Sequence, residues 1–273
     1  MTTVARFDTT VGQLAVATQG SGLPAVVWHS LFVDDRSWDA VAEVLARHRM
    51  LVRITGPGHG SSSAITAPFS LDDCADAALE VLHALEIEQA VDWVGNAWGG
   101  HVGLVLAARQ PPRVRTLTTF NTPVAALTSE QSKSPRLAAT LLATVGAVRP
   151  LRHGIASALL SPQARAERPD LVAYVHDCLR SADRRALART VRSVSLDRPD
   201  LTPILGSILA RSVLVTGSDD ELWTLDQARA AASRMPNAVA EEVTGSAHLT
   251  PLERPDEAAR IILQQWADSD GLR

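Results

Sequence analysis

Residues Val91 to Gly103 read VDWVGNAWGGHVG. An apolar run that ends in Gly95-Asn96-Ala97-Trp98-Gly99 and passes at once into a helical pattern has the frame G-x-S-x-G, a sharp strand-to-helix elbow whose central residue carries a nucleophile. Here the central residue is Ala97. Glycines two positions to either side suit such a turn, because strand and helix backbones must pass closely there. Any strand-to-helix turn can hold several glycines, so the elbow needs support from the rest of the chain.

Working outward, short β-branched or apolar runs at Gln13 to Thr18, Ala25 to His29, Met50 to Ile54, Ala90 to Val94 and Val114 to Phe120 alternate with helical patterns at Trp38 to Arg47, Leu71 to Leu85 and Trp98 to Arg109. Alternation of this kind predicts a mostly parallel sheet with helices on both faces, an α/β fold. Ser70 is the expected N-cap of the second helix, with Asp72 and Asp73 complementing the helix dipole in its first turn. From about Val124 to Gly206 the character changes to Ala-, Leu- and Arg-rich sequence without strand signals, punctuated by prolines at 135, 150, 162, 169, 199 and 203. The α/β pattern then resumes with a strand at Ser212 to Thr216, a helix from Leu225 to about Met235, a strand at Ala238 to Val243 and a helix from Pro255 to about Trp266. The expected layout is a core of residues 1–123 and 207–273, interrupted once by a helical cap of residues 124–206.

Composition is that of an ordinary soluble globular protein, with a length that leaves one domain or two open. Of 273 residues, 46% are hydrophobic and 21% charged, with 26 basic against 30 acidic side chains for a net charge of −4, which excludes disorder and collagen-like repeats. No cluster of basic residues marks a nucleic-acid surface, and Lys133 is the only lysine, leaving little scope for Schiff-base chemistry. Cys74 and Cys178 fall in amphipathic helical patterns, the ordinary setting of buried free thiols. The first residues, MTTVARFDTTVGQLAV, lack the apolar run of a signal peptide and no segment has the roughly 18 apolar residues of a membrane span, so the expected compartment is the cytoplasm with no membrane partner. The oligomeric state is left open, a homodimer included.

Four further stretches matter. His29 ends an apolar strand in VVWHSLF, and Thr55-Gly56-Pro57-Gly58-His59-Gly60-Ser61 follows the next one. Val213-Leu214-Val215-Thr216-Gly217-Ser218-Asp219-Asp220 is a strand ending in G-x-x-D, and Gly245-Ser246-Ala247-His248 comes just before Pro251 and Glu253-Arg254-Pro255. Over nearly the whole chain these motifs resemble the α/β-hydrolase superfamily, in the order nucleophile, acid, histidine. The sequence departs from the commonest pattern at Ser30, where glycine is usual, at Thr55, where aspartate is common, and at Asn96 and Ala97.

The resemblance implies an α/β-hydrolase fold with a helical cap insertion and assigns roles by motif. His248 is the general base, Asp220 rather than its neighbour Asp219 is the acid that orients it, and Ala97 occupies the nucleophile position. The backbone N–H groups of Leu31 and Trp98 form the oxyanion hole. Ser30, Phe32, Tyr174, Trp223 and Leu249 are candidate substrate-binding residues, and His59 is a loop residue. His101, one helical turn past Ala97, reads as a packing residue, while His48, His83, His153 and His176 lack metal-ligand spacing, so no metal is expected. No dinucleotide fingerprint or phosphate loop is present and no cofactor is implied.

An alanine cannot attack a carbonyl. Either a serine has been replaced, leaving an inactive variant of an esterase or lactonase acting on a small to medium, largely apolar neutral substrate, or alanine is native. In the second case the His248 and Asp220 dyad abstracts a proton, as in family members similar to cofactor-independent dioxygenases, or the protein only binds a ligand. A lost aspartate nucleophile, suggested by the likeness of Trp98-Gly99-Gly100 to the haloalkane dehalogenase elbow, is opposed by His29-Ser30-Leu31-Phe32, which lacks the proline those enzymes carry.

Overall fold

The computed structural model describes residues 2–271. The chain runs β1 (Thr3–Thr9), β2 (Gly12–Gln19), β3 (Pro24–Trp28), α1 (Asp39–Leu45), β4 (Met50–Ile54), α2 (Leu71–Ala84), β5 (Val91–Asn96), α3 (Trp98–Arg109) and β6 (Val114–Phe120). A long helical passage follows, made of α4 (Lys133–Thr144), α5 (Arg149–Leu159), α6 (Pro162–Glu167), α7 (Pro169–Ser181) and α8 (Arg184–Val191). It ends in a π-helical turn at Arg192–Leu196 and a 3-10 segment at Thr202–Ser207. Then come β7 (Arg211–Gly217), α9 (Leu225–Ala232), β8 (Ala238–Val243), α10 (Thr250–Glu253) and α11 (Pro255–Asp270).

The strands form an eight-stranded sheet in the order β1-β2-β4-β3-β5-β6-β7-β8. β1 and β2 are antiparallel, as are β2 and β4, and every other neighbouring pair is parallel. The α/β-hydrolase fold expected from the motifs is therefore the observed one.

Side chains on a strand alternate between faces, and a parallel sheet buries both. Ala25 and Val27 of β3 join Leu51, Val94, Phe120 and Val215 in a cluster sealed by α1 and α11. Val26 and Trp28 of the same strand face the other way, joining Val52, Ile54, Leu117 and Leu214 under α2, α3 and α9. The passage between β6 and β7 has a third cluster of its own, with Leu142, Leu159, Leu171, Val175, Leu187 and Val191 at its centre, to which the sheet side contributes Val33 and Leu249.

Two details differ from the sequence reading. β1 went unread because its residues are mostly exposed and carry no apolar alternation; it exists through its ladder to β2, from Thr3↔Thr18 to Thr9↔Gly12. The first helix is shorter than its periodicity suggests, since Asp35–Trp38 forms a 3-10 turn and α1 ends at Leu45. Ser70 caps α2 as read, and its pairing with Asp73 completes a capping box. Cys74 and Cys178 are free and buried. Among the described residues no helix is long and apolar enough to cross a membrane, and no group of three or more His, Cys, Asp or Glu side chains could hold a metal ion.

Candidate active site

Adjacent parallel strands β3, β5, β6, β7 and β8 all end at the same edge of the sheet, where open α/β folds gather ligand-binding groups. His29 follows β3, Ala97 follows β5, Asn121 follows β6, Asp220 lies just past β7, and His248 sits on the loop after β8.

Ala97 occupies a backbone conformation of φ 47° and ψ −102°, which L residues rarely adopt. The turn is held from both sides, the Ala97 N–H donating to Phe120 O at 2.7 Å and the Ala97 carbonyl accepting from the His101 N–H at 2.9 Å. A methyl on Gly95 would overlap the backbone of Gly99 and Gly100, and one on Gly99 would overlap the Trp28 carbonyl. The glycines are thus required by close approach of β3, β5 and α3, which is the physical content of the elbow frame.

His248 Nδ1 lies 3.0 Å from Asp220 Oδ2. The carboxylate accepts, so the proton resides on Nδ1 and Nε2 is the free acceptor. Asp220 also accepts from Asn121 Nδ2 at 2.9 Å and from the Leu222 N–H at 2.9 Å. Burial pushes the Asp220 carboxyl up, but the neighbouring His248, its hydrogen bond, and those from Asn121 and the Leu222 amide outweigh it and hold the group below the usual carboxylate range. Asp219 makes no such contact; its side chain meets only Ser218 Oγ, at 3.0 Å.

Three side chains unread in the sequence fix this pair in place. Asn121, at φ 50°, bonds both Asp220 and the Ala247 carbonyl, the latter at 3.0 Å. Asn96 Nδ2 donates to Phe120 O and His248 O, each at 3.1 Å, tying the elbow to the histidine loop. Buried Glu253 accepts from the Ala247 N–H and from the Ser161 N–H, each at 2.9 Å, and so joins the histidine loop to the start of α6. The available signal was a polar residue directly after a buried strand for Asn121, and the Glu-Arg-Pro triplet for Glu253.

His29 and His59 turn out to be framework. His29 Nδ1–H donates to Ser30 O at 2.7 Å while Nε2 accepts the Gly56 N–H at 2.8 Å. His59 Nδ1–H donates to Pro57 O at 3.1 Å, and its Nε2 faces the Phe32 N–H at 3.4 Å. Both rings pack on Trp98, with centroids 5.5 Å and 5.3 Å away. Burial lowers the pKa of both, that of His59 to about 3. His101 Nε2–H donates to Pro123 O at 2.8 Å, and burial likewise keeps this ring neutral.

Neutral buried histidines predict acid sensitivity. In the unfolded chain each titrates near pH 6.5, whereas the folded protein takes up the proton only at much lower pH, about 3 for His59. The unfolded state therefore binds more protons below pH 6.5, and stability falls by about 1.4 kcal/mol per pH unit per histidine. Asp220 adds to the loss only below about pH 4, where its depressed pKa takes effect. Urea midpoints should drop steadily from pH 7 to 5, with a shallower slope in His59→Gln; equal midpoints at both pH values would contradict this.

The remaining sequence candidates have varied surroundings. The N–H groups of Leu31 and Trp98 have no hydrogen-bond partner among the described residues. The Ser30 hydroxyl is buried and unpartnered. Leu249 is fully buried in the cluster of the helical passage, against which Phe32 and Tyr174 are partly buried. The Tyr174 hydroxyl is engaged with Asp34. Trp223 is buried in the cluster under α2, α3 and α9, which also holds Trp98 and against which Leu31 packs.

Known proteins share this fold. A segment of 111 residues is 38% identical to a 2-hydroxymuconate semialdehyde hydrolase from Pseudomonas sp. strain CF600, covering 40% of this chain and only 36% of that relative's length. An esterase from Thermogutta terrifontis superposes with a TM-score of 0.89 at 19% identity, over 98% of this chain and 99% of its own. The enol-lactonase from Burkholderia xenovorans LB400 gives 0.88 at 22% identity, over 96% of this chain and 100% of its own. At these identities the superpositions speak for the fold alone. The sequence model of the alpha/beta hydrolase family matches residues 25–261, a span that includes Ala97, Asp220 and His248, and on that match this chain belongs to the alpha/beta hydrolase family.

Proposed function

We propose that the chain is a serine-type carboxylic ester or lactone hydrolase whose nucleophile position holds alanine, so that in this form it binds substrate without turning it over. The observation that carries the reading is the strained backbone at Ala97 together with a His248–Asp220 hydrogen bond that leaves the histidine Nε2 free to accept. Strain of this kind costs about 1–3 kcal/mol and persists only where surrounding structure enforces it. An alanine makes no chemical use of it, whereas a serine hydroxyl would be aimed at the site.

With serine at 97, His248 Nε2 takes the hydroxyl proton as Oγ attacks the substrate carbonyl, and Asp220 stabilises the imidazolium. The Leu31 and Trp98 N–H groups receive the developing oxyanion. The histidine then returns its proton to the leaving alkoxide, and water releases the acid. Phe32 and Leu249, with the Tyr174 ring, offer apolar walls, and Ala97 and His248 are 5% and 8% exposed, which suits a small to medium neutral substrate. The helical passage of residues 124–206 serves as the cap over this site, and the cytoplasm is the compartment in which we place the protein.

The test compares Ala97→Ser with the chain as given on short aryl esters and a lactone panel. Hydrolysis confined to the serine variant supports the proposal. If the chain as given instead transforms a substrate and loses that activity with His248→Ala, the dyad acts as a proton-abstracting base on a native alanine. Tight ligand binding with no turnover in either form would make it a binding protein.

A further inference from the structure

The segment that carries the Leu31 amide is held by an unusual set of contacts. Phe32 has φ 72°, a left-handed conformation for a bulky residue, and its N–H faces His59 Nε2 at 3.4 Å. Two residues on, Asp34 is 3% exposed and is gripped by α7. The Tyr174 hydroxyl accepts the Asp34 N–H at 3.2 Å and donates to Asp34 Oδ1 at 2.9 Å, with the Asp34 carbonyl a second acceptor at 3.2 Å. Arg36 closes on the same carboxylate through Nη2 at 2.8 Å, and its guanidinium lies over the Tyr174 ring, 5.2 Å from the centroid. Cys178 Sγ, one helical turn after Tyr174, completes the group at 3.7 Å from Asp34 Oδ2.

We propose that Tyr174 is a positioning residue: through Asp34 it locks the turn that presents the Leu31 N–H as an oxyanion donor, so the helical passage builds part of the catalytic frame. This rests on the hydrolase reading above. A strained turn relaxes unless it is over-determined. His59 restrains one side of Phe32 and the Tyr174–Asp34 contact restrains the other. The only tyrosine of the chain therefore acts on the loop, with its hydroxyl turned away from substrate recognition.

An oxyanion donor acts on the transition state, so its displacement lowers kcat and leaves KM nearly unchanged. Outright loss of one donor costs about 10²- to 10³-fold, and displacement should cost less, roughly 10- to 100-fold. Tyr174→Phe keeps the ring, its packing and its stacking with Arg36 while removing the hydroxyl. In the Ala97→Ser background it should lower kcat by that factor at constant KM, and weaken a trifluoromethyl ketone, which mimics the tetrahedral adduct, in the same proportion. In the chain as given, which needs no activity, Tyr174→Phe should speed hydrogen exchange of the Asp34 amide about ten-fold, with α11 amides unchanged.

Unaltered exchange at Asp34, or an unaltered kcat beside an active Ala97→Ser parent, overturns the proposal. A rise in KM with kcat preserved also overturns it and makes Tyr174 a substrate contact. If Ala97→Ser is itself inert on every ester and lactone, the hydrolase reading fails, and the exchange arm alone decides whether the lock exists.

Discussion

Ala97→Ser should raise kcat on a short ester by about 10⁵- to 10⁶-fold over the chain as given, the inverse of the loss caused by removing a triad serine. On the proposed reading the gain is that large because the His248–Asp220 pair is already hydrogen-bonded. His248 has its Nδ1 proton committed to Asp220, at 3.0 Å, which leaves Nε2 to accept from the new hydroxyl. The Asp220 carboxylate is held by three donors and does not swing away. Serine is an L residue like alanine, so the backbone at φ 47° costs it no more, and the melting temperature should stay within about a degree or two. Adding His248→Ala to Ala97→Ser should return the rate to that of the parent, since groups acting as one unit do not contribute additively. Stopped-flow mixing with an aryl ester should reveal an acylation burst in the serine variant. Absence of both burst and turnover, in a protein that melts normally, would refute the hydrolase reading.

Gly95→Ala should abolish folding, or cost more than about 4 kcal/mol, placing it in the extreme tail of single substitutions. The added methyl meets backbone atoms of Gly99 and Gly100, which belong to the helix and cannot rotate aside as a side chain would. Relief requires moving α3 off β5, and α3 is buried along most of its length. Gly154→Ala is the internal control. It lies within α5 with nothing within 4 Å of a built methyl, so alanine's better helix propensity should stabilise the protein by about 0.5–1 kcal/mol. Urea titrations followed by circular dichroism would place both. A Gly95→Ala protein with a near-parental midpoint would mean that the elbow is far looser than its geometry implies.

Most of the architecture was legible in the sequence. Strands buried along much of their length declare themselves as apolar runs, and the helices between them by their periodicity, which is how β2 to β7 and α2, α3 and α11 could be read, while the partly exposed edge strand β8 was read from its short apolar and β-branched run. β1 could not, because it has no buried face and owes its existence to pairing alone. The elbow, acid and histidine stood out through motif order. Their supports did not: apart from the Glu253 bond to Ala247, six positions away, Asn121, Asn96 and Glu253 act through hydrogen bonds to groups 24 to 152 positions away, and nothing local in the sequence encodes such distances. Tyr174 illustrates the same limit. Its position in the passage suggested contact with substrate, while the partner of its hydroxyl, 140 residues earlier, becomes visible only in three dimensions.

On the proposed reading, in which the helical passage caps the site, Glu253 also bears on access to it. One carboxylate oxygen holds Ala247, next to His248, and the other holds Ser161 at the head of α6. Lifting α6 would strip a buried carboxylate of one partner, at a cost of about 1–3 kcal/mol before water replaces it. At equilibrium a cost of that size would hold the lifted form to between about one molecule in six and one in 160. Were substrate to enter and product to leave by that route, both would share a sparsely populated state, reached when α6 parts from Glu253 and Gln163 Oε1 from Arg254 Nη2.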